Sequence, residues 1–87
     1  MSTLGVEVQP RAREVQVTED ELIVLLVDGR RLSVPLAWFP ALVRATPEQR
    51  QRFELLGDGE GVHWPDLDED LSVAGLLRGV RAPQKSL

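Results

Sequence analysis

Asp28-Gly29-Arg30-Arg31-Leu32-Ser33-Val34-Pro35-Leu36-Ala37-Trp38-Phe39-Pro40 follows the most hydrophobic run of the chain, Leu22-Ile23-Val24-Leu25-Leu26-Val27. That run is continuously apolar, β-branched in the middle and too short for a typical helix, which predicts a strand covered on both faces. Asp28-Gly29 is the signal of a two-residue hairpin turn, whose central positions need positive φ. Arg31 to Val34 then returns antiparallel with Leu32 and Val34 inward, and Pro35 ends it because proline lacks the ladder donor. A β-branched residue in place of Gly29 is expected to damage the fold, since it resists positive φ. From Leu36 the period changes. Leu36, Phe39, Leu42 and Val43 fall at helical spacing, and Pro40 suits a first turn, so a short helix over about residues 38 to 45 should lie across the hairpin.

On the N-terminal side, Val15 and Val17 alternate with Glu14 and Gln16, a half-exposed strand. Glu19-Asp20-Glu21 reads as a surface bend, because adjacent like charges repel and prefer water. Residues 1–12 read as an N-terminal arm or edge strand interrupted by Pro10. One face of Leu22–Val27 can rest on the chain's own helices. The other is a candidate interface with a second copy, so a homodimer is considered.

On the C-terminal side, Thr46-Pro47-Glu48-Gln49 starts a brief helix over 47–51, with Thr46 as cap, Pro47 at the first helical position and Gln49 completing a capping box. Arg52 to Leu56 reads as a strand, Gly57-Asp58-Gly59-Glu60-Gly61 as a turn, and Val62-His63-Trp64 as a strand that pairs back. Asp66-Leu67-Asp68-Glu69-Asp70 reads as an exposed acidic loop. Ser72 caps a last helix carrying Val73, Leu76 and Leu77, which Gly79 stops. These elements make one α+β domain over 13–79, a small curved antiparallel sheet with short helices packed on one side, followed by a flexible tail over 80–87.

The chain has 87 residues, no cysteine and a net charge of −4. The absence of thiols removes disulfides and thiolate metal sites and fits a cytoplasmic location. No apolar run approaches the roughly 18 residues of a membrane span, and the first residues lack the features of a signal peptide. Net negative charge argues against direct nucleic-acid binding. Arg44, Arg50 and Arg52 suggest one basic face but lack interleaved stacking aromatics. Residues 57–70 hold six acids (Asp58, Glu60, Asp66, Asp68, Glu69 and Asp70) and no Lys or Arg.

Asp66, Asp68 and Asp70 fit the first ligand positions of an EF-hand loop. Leu71 then stands where the glycine is needed and Leu77 where the bidentate glutamate is needed, so that motif is absent. The glycine-rich turn lacks the lysine and the following helix of a phosphate-binding loop. His63 is the single histidine, and no serine sits in a nucleophile motif. The residues therefore predict no enzyme, no cofactor and no metal. Trp38 and Trp64 are read as core anchors that also belong to a residue type enriched in binding hot spots.

The segments Val34-Pro35-Leu36-Ala37-Trp38-Phe39-Pro40, Thr46-Pro47-Glu48-Gln49-Arg50 and His63-Trp64-Pro65-Asp66-Leu67-Asp68-Glu69-Asp70-Leu71-Ser72-Val73 resemble the DUF2442 family, a domain of unknown function, over roughly residues 12 to 79. The resemblance implies a small bacterial or phage α+β domain, often encoded beside another small family as in a type II toxin–antitoxin pair. Some relatives carry a C-terminal helix-turn-helix, for which the residues after Gly79 are too few.

Two functional expectations follow. The first is a non-enzymatic protein-binding module, an antitoxin-like partner of a small basic protein, with Trp38, Phe39, His63, Trp64, Asp66, Asp68, Glu69 and Asp70 as partner-binding residues. The second is a small-molecule or metal sensing domain of a regulator lacking its DNA-binding half.

Overall fold

The apolar run forms the centre of a three-stranded antiparallel sheet. Strand β1 is Ala12–Val17, β2 is Glu21–Leu26 and β3 is Arg31–Pro35, in the order β1-β2-β3. A computed structural model of the chain describes residues 10–79. Most of the expected N-terminal arm and all of the expected tail lie outside the described residues.

Register explains the burial. Val15 faces Val24 and Val17 faces Leu22 on one side, while Val34 and Leu32 face Leu22 and Val24 on the other. Leu22, Val24 and Leu26 are buried on the core face, and Ile23, on the opposite face, is also buried. Leu25 is half-buried. The expected cover on both faces is thus seen only in part along β2, because the neighbours of Ile23 and Leu25 on that second face, Glu14, Gln16, Arg31 and Ser33, are exposed. It stops at Val27, which belongs to the turn and is exposed.

The turn differs from the two-residue form expected. Gly29 N–H donates to Leu26 O at 2.9 Å and Leu26 N–H to Arg30 O at 2.8 Å, so three residues, Val27 to Gly29, span the strands. Gly29 has φ +97°, whereas Asp28 does not enter the positive region. This matches a turn closed by a left-handed glycine bulge, the usual three-residue hairpin. Asp28 folds back instead, its carboxylate accepting from the backbone N–H of Arg30 at 3.0 Å and from Arg30 Nε at 2.9 Å. The acidic bend before β2 is organised by Thr18, whose hydroxyl accepts from the N–H groups of Asp20 and Glu21.

Where one short helix was expected there are two pieces. A 3-10 turn covers Leu36–Trp38, then α1 covers Pro40–Val43. The break falls at Phe39, since the residue before a proline is steered out of the helical region. Leu36, Phe39 and Leu42 are fully buried, while Val43 is exposed. Helix α2, Pro47–Gln51, has the full capping box: Gln49 N–H donates to Thr46 Oγ1 and Thr46 N–H to Gln49 Oε1.

The remaining strands form a sheet of their own rather than extending the first. Strand β4 is Glu54–Leu56, β5 is Gly61–Trp64 and β6 is Glu69–Ser72, antiparallel in the order β4-β5-β6. Helix α3, Val73–Leu77, follows, with the Ser72 hydroxyl accepting from Gly75 N–H. The α+β class holds. The single curved sheet is corrected to two three-stranded sheets with short helices. The acidic loop is also corrected, because Glu69 and Asp70 lie in β6 and only residues 65–68 make a turn.

A backbone contact joins the two sheets: Ala12 N–H donates to Gly59 O at 2.7 Å, while Val73 N–H, donating to Glu60 O at 2.9 Å, ties the start of α3 to the β4–β5 turn. Gly59 sits at φ +99°, so close to β1 that a Cβ there would lie 2.3 Å from Ala12 O. Only glycine permits that approach. One core cluster spans both sheets, from Val15, Leu22 and Val24 to Val62, Trp64, Leu71 and Leu76.

Candidate functional site

Strand alternation sorts the second sheet into two faces. Leu55, Val62 and Leu71 form one row across β4, β5 and β6, with Val62 and Leu71 in the core. Glu54, His63 and Asp70 form the neighbouring row on the outer face. Glu54, Leu56, Asp70 and Ser72 are all exposed there. The single histidine therefore stands between two carboxylates on adjacent strands.

His63 Nδ1 is hydrogen-bonded to Asp70 Oδ1, with the Asp70 side chain 69% exposed and the His63 side chain 28%. The hydrogen bond to Asp70 raises the His63 pKa. Partial burial opposes this, and the negative charges of Asp70, Glu54 and Asp68 push it up further. Asp68 sits in the turn at φ +53°, a left-handed position that aspartate tolerates better than most side chains.

The other predicted site residues are placed differently. Phe39 and Trp64 are completely buried and present no surface to a partner. Trp64 Nε1–H donates to Arg50 O at 3.0 Å, and its ring lies 6.2 Å from that of Phe53, so its polar atom and its faces are used internally. Trp38 is half-buried, set edge-on to Phe39 at 6.5 Å, and keeps some surface. Asp66 is paired with Arg52 at 3.1 Å. Glu69 is half-buried opposite Trp64. The structure thus brings together His63, Asp68 and Asp70 with Glu54, and separates Trp38 and Phe39 from them by sequence element and burial.

Glu54 is the residue the sequence reading missed. Its signal is the alternation Glu54-Leu55-Leu56 against Val62-His63-Trp64, which becomes informative only once the hairpin register is known. Two of the three arginines of the suggested basic face, Arg44, Arg50 and Arg52, are engaged within the fold. Arg50 donates to the carbonyls of Leu42 and Val43 at 2.9 and 3.0 Å, capping the end of α1, and Arg52 is held by Asp66.

Among the described residues no three His, Cys, Asp or Glu side chains converge on a metal-sized site. An open groove is lined by Pro47, Glu48, Gln51 and Arg52, and its lining includes neither His63 nor Trp64. No described helix is long and apolar enough to cross a membrane.

Comparison with known proteins agrees with this architecture. A protein of unknown function from Rhodospirillum rubrum ATCC 11170, solved by crystallography, is 34% identical and superposes with a TM-score of 0.74, over 86% of this chain and 93% of that one. An uncharacterized protein from Chromobacterium violaceum, solved by solution NMR, is 35% identical with a TM-score of 0.71, over 86% of this chain and 71% of that one. No curated protein matches the chain. The family model for proteins of unknown function DUF2442 matches residues 12–82. The chain belongs to the DUF2442 family.

Proposed function

We propose that this chain is a non-enzymatic protein-binding module that offers the outer face of its second sheet to a small basic protein, in the manner of the antitoxin of a type II toxin–antitoxin pair in the cytoplasm. The observation that carries the reading is the row Glu54–His63–Asp70, whose two carboxylates are exposed on either side of the half-buried His63, with Asp68 at its edge. Carboxylates fixed on the two strands that flank β5 present negative charge at a set spacing. Such charge speeds encounter with a cationic partner and sets its orientation. The row lies on a face that exposes Leu56 beside it, which adds an apolar contact at the edge.

The site residues of this reading are Glu54, His63, Asp68 and Asp70. The fully buried Phe39 and Trp64 act through the fold. The reading is tested by affinity capture with the tagged full chain from its own host, read by mass spectrometry. The expected result is one small basic protein in stoichiometric amount, released by high salt because exposed charge pairs are screened. Capture that resists salt, or a clean bait, contradicts it.

A further inference from the structure

The second sheet has little to hold its edges. Strand β4 has three residues, all exposed, and only Leu71 of the four residues of β6 is buried. Its outer face carries the single histidine on the central strand, bonded to Asp70 on one edge strand and aligned with Glu54 on the other. We propose that His63 is a proton-operated clasp of the second sheet: its protonated ring ties β5 to both edge strands, and loss of the proton loosens them and leaves the face a bare row of carboxylates.

The physical basis is cross-strand pairing. An imidazolium between two carboxylates makes one charge-assisted hydrogen bond to Asp70 and one favourable charge pairing with Glu54. A neutral imidazole keeps the Nδ1–H donor to Asp70 but no longer offsets the repulsion between Glu54, Asp70 and Asp68. The charged groups that face the ring are Asp70 from β6, Glu54 from β4 and Asp68 from the turn between β5 and β6. Arg52, just before β4, is occupied by Asp66. Because Asp70 and its neighbours hold the ring's pKa above the ordinary imidazole value, the clasp is closed around pH 6.5 and opens as the pH rises through the raised value. The consequence for a basic partner, a more negative face once the proton leaves, rests on the function proposed above. The clasp itself does not.

The test is amide hydrogen exchange by NMR on the full chain and on His63→Gln, at matched pH values across the titration of the His63 ring proton. Comparison at equal pH cancels the intrinsic pH dependence of exchange. Amides of β4 and β6 are expected to exchange faster than those of β2, through opening of the second sheet alone. Below the His63 midpoint this opening should be about two- to fivefold rarer in the wild type than in the variant, the range of an exposed charge pair, and the ratio should fall to one above the midpoint. Asp70→Asn should lower the midpoint. Exchange of β4 and β6 only at the rate of β2, a ratio that ignores the His63 titration, or a midpoint unmoved in Asp70→Asn overturns the clasp. A hexalysine peptide titrated on either side of the midpoint gives the second arm. Tighter binding above it in the wild type and not in His63→Gln supports the charge consequence. Absence of binding at both pH values contradicts the binding reading, while the exchange data decide the clasp.

Discussion

The two sheets have equal strand numbers and opposite roles. The first has strands of six, six and five residues, and its central strand buries Leu22, Val24 and Leu26 on the core face and Ile23 on the other. The second has strands of three, four and four residues, and one of its faces is open to solvent and acidic. Hydrophobic burial scales with apolar area removed from water, so the first sheet supplies most of the driving force. The second sheet contributes Val62, Trp64 and Leu71 to the shared core and leaves its other side free for charge. The difference teaches that a chain this small can concentrate its apolar burial in one sheet and leave a face of the other to charged side chains.

The comparison is broken most strongly by truncating one apolar residue in each sheet. Leu22→Ala, fully buried in β2, should destabilise by about 2–5 kcal/mol in urea unfolding. Leu55→Ala, 38% exposed on β4, should lose less than about 1 kcal/mol. Equal losses would erase the distinction between the sheets.

The junction comes next. Gly59→Ala places a Cβ against Ala12 O at a left-handed φ, and should destabilise by about 3 kcal/mol through strain and overpacking. Gly29→Ala has a similar φ but open space around the Cβ, so about 1 kcal/mol is expected. Calorimetric melting of the two variants separates a contact between sheets from a backbone preference.

Smaller effects sharpen the picture. Ser72→Ala removes the cap of α3 at the end of β6 and should lower stability by about 1 kcal/mol, read by the same melt. The smallest effect is the pH dependence of His63. Its folded pKa is raised, so the stability it adds is complete below about pH 6.5 and is lost as the pH rises through the raised folded value. Melting temperatures of the wild type and His63→Gln should therefore converge on the alkaline side. A gap that widens there would reverse the sign assigned to the Asp70 contact.

The sequence makes the first sheet readable because its signals are local. Leu22–Val27 is an unbroken apolar run, and Val15 and Val17 alternate with polar residues over the span where β1 is found. The ends of α2 and α3 were equally visible through Thr46, Pro47, Gln49 and Ser72, because caps are short-range chemistry. The second sheet was only half legible. Asp68-Glu69-Asp70 has poor strand propensity, so β6 looks like a loop until Leu71 is seen to complete the row with Leu55 and Val62. His63 and Asp70 then become neighbours by register, which no spacing rule announces. How the two sheets meet depends on the approach of Gly59 to Ala12, a contact between residues far apart in sequence. Trp64 and Phe39 illustrate the opposite error. Large aromatics invite a binding role, and here total burial assigns them to the core.

The most direct measurement of the central claim compares the same charge change on the two sheets during capture of the proposed basic partner. Glu54→Lys with Asp70→Lys alters the outer face of the second sheet. Glu14→Lys with Glu21→Lys alters exposed acids of the first. With both variants shown by circular dichroism to be folded, the account predicts that capture is lost in the first pair and retained in the second. Equal retention in both, or equal loss in both, would contradict a binding face confined to the second sheet.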